Sequence, residues 1–248
     1  MPPESLPLPA AVLWDMDGTL IDTEPFWIDT ECKLMAEHGV SWTSADGLTL
    51  VGLPLLESAR ILQTAGLDLP APTIVDALVG RMRERLAQHM PWRDGVPTLL
   101  RHLADARVPC AIVSMSYRSL VTLVADAAPP GTFSSLVAGD EVTNGKPHPE
   151  PYLLAARKLG VDIRDCVAIE DSPPGVGSAL AAGAATLAVQ THVPIPPAPG
   201  LSRVASLTDV DLALLARLHG GEVIDFIPQD DPRRTVGRHR RNPPKFGT

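Results

Sequence analysis

Short apolar runs alternate along this chain with longer segments whose apolar residues recur at helical spacing. Each run has the length and composition of a strand that is buried on both faces of a sheet. Five strands are predicted in this way, at Ala11–Trp14, Val108–Val113, Ser135–Ala138, Val167–Ile169 and Ala185–Val189. Helix-like segments lie between them, at Val96–Ala106, Ser119–Ala127, Pro149–Leu159 and Pro174–Ala182. This alternation predicts an α/β fold, with a parallel sheet that carries helices on both faces.

One long interval interrupts the alternation, between the first strand and the next strand–helix unit. It runs from about Asp22 to Arg93, which is too long for a loop in a compact domain. Its apolar pattern is helical in three segments, at Glu24–His38, Pro54–Ala65 and Thr73–His89. We therefore expect a small helical domain at residues 22–93, inserted into a larger domain formed by residues 1–21 and 94–227.

Composition and charge exclude several classes of protein. The chain has 248 residues, of which 45% are hydrophobic and 20% charged, and its formal net charge is −8. The negative charge argues against nucleic acid as the main partner, because duplex binding depends on Lys and Arg. No apolar run approaches the roughly 20 residues that cross a bilayer, and the N-terminus lacks the basic residues of a signal peptide. Three scattered cysteines suit a reducing compartment, so we expect a cytoplasmic protein outside the membrane.

The end of the chain departs from this acidic balance. Residues 228–248 have little apolar content and hold the basic residues Arg233, Arg234, Arg238, Arg240, Arg241 and Lys245. Such a segment cannot bury enough apolar surface to fold, and the sequence predicts a disordered basic tail. Binding of an acidic partner by this tail stays open as a separate role.

Candidate catalytic residues follow the predicted strands. Asp15 and Asp17 come directly after the first strand, in Asp15-Met16-Asp17-Gly18-Thr19. Ser114 follows the second strand, Lys146 the third, and Glu170-Asp171 the fourth. Each feature alone is compatible with an acidic turn, a helix cap or a simple turn. In a parallel sheet, however, all of them reach the same edge, where ligands of such sheets bind.

The acidic pair suits phosphoryl transfer. Asp15 would be the nucleophile, because a carboxylate can form an aspartyl-phosphate that water later cleaves. The side chain of Asp17 would donate a proton to the departing alcohol and then activate water.

The remaining residues suit a metal ion and a phosphoryl group. Mg²⁺ prefers hard oxygen ligands, few of them from protein, and Asp15, the backbone carbonyl of Asp17 and Asp171 would supply them. Glu170 would be a further ligand or a more remote support. Ser114 and Lys146 would bind the phosphoryl oxygens.

Taken together, these motifs resemble the haloacid dehalogenase superfamily. The resemblance covers about residues 10 to 215 and rests on Asp-x-Asp-Gly-Thr, a serine at a strand end, Gly-Lys-Pro and Glu-Asp, in this order. It implies a Rossmann-like core, a magnesium cofactor and an α-helical cap domain inserted just after the first motif.

A finer resemblance is to the branch that contains β-phosphoglucomutase and small sugar-phosphate phosphatases. It rests on Asp22-Thr23-Glu24-Pro25-Phe26-Trp27 and on Lys146-Pro147-His148-Pro149-Glu150-Pro151-Tyr152. The mutase has a histidine in place of Trp27 and an arginine in place of Leu55. The resemblance therefore implies a magnesium-dependent phosphatase acting on a small phosphomonoester of a sugar or polyol. A mutase-type isomerase and a non-catalytic regulatory protein are the alternatives.

Residues of the inserted domain that contact the substrate are not assigned by the sequence. Aromatic side chains on amphipathic helices belong more often to a core than to a pocket. The candidates left open are Glu24, Phe26, Trp27, Trp42, Arg60 and His89. The sequence also leaves the oligomeric state open.

Overall fold

Strands and helices alternate through the residues that the structure, a computed structural model, describes, namely 6–191 and 193–227. The strands are β1 Ala11–Trp14, β2 Cys110–Val113, β3 Phe133–Val137, β4 Cys166–Glu170, β5 Ala185–Val189 and β6 Leu201–Val204. The α-helices are α1 Glu24–Glu37, α2 Ser44–Gly47, α3 Leu55–Thr64, α4 Ala71–Gln88, α5 Val96–Asp105, α6 Arg118–Ala127, α7 Glu150–Leu159, α8 Pro173–Ala182 and α9 Leu212–His219. Short 3-10 turns lie at Leu48–Leu50, Gly139–Glu141, Ile163–Asp165 and Leu207–Asp209. The predicted basic tail, 228–248, lies outside the described residues.

The described strands form one sheet, in the order β3-β2-β1-β4-β5-β6. Every neighbouring pair is parallel, and Trp14 at the end of β1 lies opposite Ile112 of β2 and Ile169 of β4. Because β1 is central, its carboxyl end is flanked by those of β2 and β4. The predicted Rossmann-like parallel sheet is confirmed.

Alternate residues along the strands face opposite layers of helices. Trp14 of β1 belongs to one apolar core, together with Leu103 of α5 and Leu215 of α9. Leu13 belongs to a second core, together with Ala155 of α7 and with residues of α8. This follows from the two-residue period of a strand, which sends successive side chains to opposite faces. Both faces are therefore covered, which is why the strands are continuously apolar in the sequence.

Helices α1 to α4 form the inserted helical cap between β1 and β2. Helices α1 and α3 both pack on α4, which buries Ile74, Leu78 and Met82 on one face. Pro25 occupies the first turn of α1, where a missing N–H costs nothing. The α-helical cap is confirmed, whereas its bounds at residues 22 and 93 stay a prediction. Helix α2 is an addition to the predicted pattern.

The last strand and the last helix were not predicted from the sequence. Strand β6 carries Ser202 and Arg203, which are buried although polar, so its pattern does not resemble an apolar run. The Arg203 guanidinium donates to Asp225 Oδ2 at 2.6 Å and to the carbonyl oxygen of Ile195 at 2.8 Å, whereas its Nε is buried without a partner. A buried strand can contain a charged residue that is paired, but the apolar pattern of the sequence does not identify such a strand.

The cysteines and helices bear on the predicted compartment. Cys32, Cys110 and Cys166 are all free thiols, and Cys32 is only partly buried. Among the described helices, none combines the length and the apolar composition that a membrane span requires.

We expect Gly95→Ala to destabilise the fold more than Gly131→Ala. Both glycines have positive φ angles, +86° and +81°, and an alanine in that region costs about 1–2 kcal/mol. A Cβ at Gly95 would also lie 2.6 Å from the backbone carbon of Leu207, whereas one at Gly131 would have no atom within 4 Å. Overpacking against backbone should lower the free energy of unfolding of Gly95→Ala by about 1–3 kcal/mol more. Urea titration of both variants measures the difference, and equal losses would contradict the contact.

Candidate active site

The carboxyl ends of three adjacent strands bring the predicted site residues together. Asp15 follows β1, Ser114 follows β2, and Glu170 is the last residue of β4, with Asp171 after it. The backbone N–H of Asp15 continues the sheet by donating to the carbonyl of Ile169 at 3.0 Å. These positions meet at one edge of the sheet, as the strand pattern predicts.

Lys146 reaches this edge from the connection between β3 and α7. Its Nζ donates to Asp15 Oδ1 and Glu170 Oε1, both at 2.6 Å, and to the carbonyl of Val113 at 2.8 Å. An ammonium group has three protons, so all of them are used. Burial alone would lower the pKa of Lys146, but the two carboxylates raise it above its usual value. The lysine is therefore a fixed positive charge, and a phosphoryl oxygen would share or replace one of its bonds.

Glu170 is fully buried and lies behind the other acidic residues. Besides Lys146, it accepts hydrogen bonds from Tyr152 Oη at 2.8 Å and from the backbone N–H of Asp171 at 3.0 Å. Ser172 donates to the same carboxylate through its backbone N–H, at 3.3 Å, and its Oγ, at 3.1 Å. Both carboxylate oxygens are thus occupied, and Glu170 orients Lys146 and Asp171. Its direct role as a metal ligand stays a prediction.

Asp15, Glu170 and Asp171 form the acidic cluster in which a metal ion fits. Ligand oxygens of the three lie within 4.8 Å of one another. Lys146 is the positive charge against them, which leaves two negative charges uncompensated when all are ionised. Burial, followed by repulsion from Glu170, raises the pKa of Asp15 well above its usual value and that of Asp171 to about 7.

One carboxylate oxygen of this cluster has no partner, which agrees with a site for a divalent cation. Asp15 Oδ2 is buried without a hydrogen-bond partner, although Oδ1 is held by Lys146. The Asp171 carboxylate lies so close to Gly18 that a Cβ there would be 2.0 Å from Oδ2. Hard oxygen donors in small number, two excess negative charges and an unpartnered carboxylate oxygen are what Mg²⁺ prefers. The residues present therefore fit the predicted ion.

Two threonines hold Asp171 in place. Thr19 Oγ1 donates to Oδ1 at 3.2 Å, and Thr191 Oγ1 donates to Oδ2 at 2.7 Å. Thr19 belongs to the Asp-x-Asp-Gly-Thr motif, so its position close to the site could be predicted from the sequence. Thr191 comes from the end of β5 and carries no motif that could have identified it.

Asp17 lies in a different environment, between the core and the first turn of the cap. Its Oδ1 accepts hydrogen bonds from Thr23 Oγ1 at 2.7 Å and Trp27 Nε1 at 3.1 Å. Its Oδ2 accepts from Ser116 Oγ at 2.8 Å and Ser114 Oγ at 3.3 Å. The predicted phosphate-binding residue Ser114 thus contacts the predicted acid. Ser116, which the sequence analysis missed, contacts it more closely.

A cavity of about 790 Å³, counting its open mouth, separates the strand ends from the cap. The strand-end wall includes Asp15, Asp17, Ser114, Lys146 and Asp171. The cap wall includes Glu24, Trp27, Glu31, Leu55 and Leu78. Of the cap residues that the sequence left open, Glu24 and Trp27 therefore line the cavity. Phe26 and Trp42 pack against the apolar core instead, and Arg60 and His89 do not line the cavity.

Known proteins share these features. The profile of the family described as haloacid dehalogenase-like hydrolase matches residues 9–183. The bifunctional riboflavin kinase/FMN phosphatase of Arabidopsis thaliana is 34% identical over 196 residues, which are 75% of this chain and 51% of the relative. This chain thus spans about half the length of that relative. The phosphorylated carbohydrates phosphatase of Thermotoga maritima is 30% identical over 178 residues, 70% of this chain and 81% of the relative.

A solved structure agrees at the level of the whole fold. The crystal structure of CbbY from Rhodobacter sphaeroides in complex with phosphate is 26% identical, with a TM-score of 0.73, and the match covers 82% of this chain and 96% of CbbY. The family profile extends through β1 and the helical cap and includes Asp15, Lys146 and Asp171. This chain therefore belongs to the haloacid dehalogenase-like hydrolase family and is a phosphoric monoester hydrolase.

Proposed function

We propose that this enzyme is a magnesium-dependent phosphatase that releases phosphate from a small sugar or polyol monophosphate through an aspartyl-phosphate on Asp15. The observation that carries the proposal is the contrast between the surroundings of the two carboxylate oxygens of Asp15. One carboxylate oxygen is fixed by Lys146, and the other is buried without a partner at the edge of a cavity. A carboxylate that is oriented on one side and unsolvated on the other is suited to attack a bound phosphorus.

In the first step, an oxygen of Asp15 attacks phosphorus and the bond to the leaving alcohol breaks. Asp17 gives the leaving oxygen its proton, so the alcohol departs neutral. The donors on Asp17 hold its carboxylate at the cavity wall, and Lys146 keeps the nucleophile in place. Magnesium held by Asp15, the Asp17 carbonyl and Asp171 would supply positive charge that screens the phosphoryl oxygens from the carboxylates.

In the second step, water cleaves the bond between Asp15 and phosphorus. The Asp17 carboxylate, now unprotonated, takes a proton from that water, so the site returns to its initial state with inorganic phosphate released. Ser114 lies at the same wall of the cavity and can donate a hydrogen bond to a phosphoryl oxygen.

The substrate class is supported by the relatives. The Thermotoga maritima relative is named for phosphorylated carbohydrates. A small phosphorylated molecule is accordingly the proposed partner. A cytoplasmic location belongs to the same proposal.

The isomerase alternative needs the phosphoryl group to return to a sugar that carries a second phosphate. Leu55 lines the cavity where the mutase has an arginine, and Trp27 is occupied with Asp17. Neither offers a positive charge to a second phosphate. Product analysis with β-glucose 1-phosphate separates the two functions, since a phosphatase yields glucose and phosphate.

Asp15→Asn should abolish turnover, because a neutral amide is a poor nucleophile. Asp126→Asn, which changes an exposed carboxylate on α6, is the matched control and should retain the wild-type rate. Steady-state phosphate release measures both. If Asp15→Asn kept more than about a hundredth of the wild-type kcat, a loss under about 2.7 kcal/mol, the covalent mechanism would be wrong.

Removal of divalent cations with EDTA should stop phosphate release, and added magnesium should restore it. Calcium should not, because it prefers more ligands and a looser geometry around the phosphoryl group. Phosphate release in metal-depleted enzyme, titrated with each ion, is the measurement. Full activity in calcium alone would contradict the assignment.

Asp17→Asn should slow phosphoryl transfer by about 10²–10⁴-fold, the usual contribution of general acid–base assistance. Because 4-nitrophenolate departs without much protonation, transfer from 4-nitrophenyl phosphate should suffer less than transfer from a sugar phosphate. Rapid-quench timing isolates the first step from the second, in which Asp17 also acts. Equal slowing for the two esters would remove Asp17 from the acid role and leave it a positioning residue.

A further inference from the structure

One face of α1 carries two buried carboxylates into the cap wall of the cavity. Glu24, Ile28 and Glu31 follow one another at helical spacing, so they share a face, and all three line the cavity. Glu24 is 5% exposed and Glu31 is 4% exposed. In each of the two glutamates, Oε2 is buried and has no hydrogen-bond partner. A buried oxygen without a donor is unfavourable, and both residues line a cavity in which a ligand could supply one.

The two glutamates lie at different depths of the cavity. Burial is the main cause that raises the pKa of Glu24, and repulsion from Asp171, Asp17 and Asp15 raises it further. Glu24 therefore lies near the acidic residues of the strand ends. Glu31 is seven residues further along α1, about 10 Å at the rise of an α-helix. It therefore lies farther from the strand ends than Glu24 and, unlike Glu24, its pKa is not raised by repulsion from Asp15, Asp17 or Asp171.

The surroundings of Glu31 leave its carboxylate available. Gly47 lines the cavity beside it, and a Cβ there would lie 3.0 Å from Glu31 Oε2. Burial raises the pKa of Glu31 to about 7, and the nearby Trp42 indole opposes this only in part. The indole lies close to this carboxylate, but neither Trp42 Nε1 nor Glu31 Oε2 has a partner in a well-formed hydrogen bond.

The remaining cap wall is uncharged and, apart from Ser58, largely apolar. It includes Leu50, Val51, Leu53, Leu55 and Leu78. Among the described residues that line the cavity, Lys146 is the only lysine or arginine. Its three protons are donated in hydrogen bonds to Asp15, Glu170 and the carbonyl of Val113. A second phosphate or a carboxylate on the leaving group would therefore meet Glu31 without any compensating cation.

We infer that Glu31 is a specificity-determining residue, which accepts a hydrogen bond from a hydroxyl at the end of the leaving group remote from the phosphate and rejects an anionic group there. The inference rests on the proposed phosphatase function and narrows it to monophosphates of polyols or sugars that carry no second charged group. A site that is built to bind a hydroxyl also rejects analogues that lack it, because its polar group is then left unpaired.

Three hexitol-type esters that differ only at C1 test the inference. D-glucitol 6-phosphate carries a hydroxymethyl group at C1, 1-deoxy-D-glucitol 6-phosphate a methyl group, and 6-phospho-D-gluconate a carboxylate. We expect kcat/KM to fall about tenfold or more from the first to the second, and further for the third. Because each comparison is a ratio within one enzyme, it does not depend on the overall activity of a variant.

Two variants of Glu31 separate hydrogen bonding from charge. Glu31→Met keeps a long side chain without an acceptor oxygen, so the ratio of kcat/KM for the hydroxymethyl ester to that for the methyl ester should approach one. Glu31→Gln keeps an acceptor and removes the charge, so discrimination against the carboxylate should decrease about tenfold or more while the preference for the hydroxymethyl ester is largely kept. Circular dichroism shows whether each variant is folded. Gly47→Ala, which presses a methyl group on Glu31 Oε2, is an independent second route and should also reduce the ratios.

Glu57→Met is the matched control, because it makes the same change at an exposed glutamate of α3 that does not line the cavity. It should leave all ratios at their wild-type values. If it instead reproduced the Glu31 variants, or if the Glu31 variants kept the wild-type ratios, the carboxylate would serve the packing of the cap and the inference would be wrong. The same holds if the wild-type enzyme turns over the methyl or carboxylate ester as well as the hexitol ester, or shows no turnover of the hexitol ester.

Failure of the phosphatase proposal is seen separately, with 4-nitrophenyl phosphate. Absence of magnesium-dependent release of 4-nitrophenol by the wild-type enzyme would overturn the proposed function and this inference with it. Release of 4-nitrophenol together with unchanged C1 ratios would overturn the role of Glu31 alone.

Discussion

The buried contact of Lys146 with Asp15 and Glu170 is the interaction on which the rest of the site depends. Transfer of these charges out of water costs several kcal/mol per ion, and the cost is offset only because every proton of the lysine has an acceptor. The three residues come from β1, β4 and the connection after β3. Tyr152 of α7 and Ser172, which caps α8, bond the same Glu170. The ionic cluster thus fixes two strands and two helices of one layer relative to the nucleophile.

Asp15 and Asp17 are two residues apart, yet they occupy contrasting environments. Asp15 lies among charged groups at the base of the cavity, whereas Asp17 accepts hydrogen bonds from neutral hydroxyls and an indole. Enzymes separate the roles of neighbouring carboxylates through such differences in surroundings. The contrast supports the proposed division of labour, in which one aspartate binds phosphorus and the other exchanges protons with the alcohol and water.

The sequence was sufficient to predict features that depend on local motifs or on the apolar composition of a single strand. Asp15 and Asp171 could be placed because apolar strands end directly before them, and parallel strands end at a common edge. Strand β6 could not be predicted, since Arg203 is buried there through a partner 22 residues away, Asp225. Glu31 was missed for a similar reason. On an amphipathic helix, a glutamate is normally a solvated residue, and only the packing of α1 over the strand ends makes it part of a cavity.

The hydrogen bond from Trp27 to Asp17 has a consequence for the exchange of caps between relatives. An inserted domain can be replaced as a module during evolution only if its junctions avoid residues that the host domain needs. Here two of the donors on Asp17 come from the start of the cap, Thr23 just before α1 and Trp27 within it. In a chimera joined before Thr23, the new cap would replace these two residues, which donate hydrogen bonds to Asp17. A recombination point after Trp27 would preserve them, so the functional border between the two modules lies inside α1 rather than at its beginning.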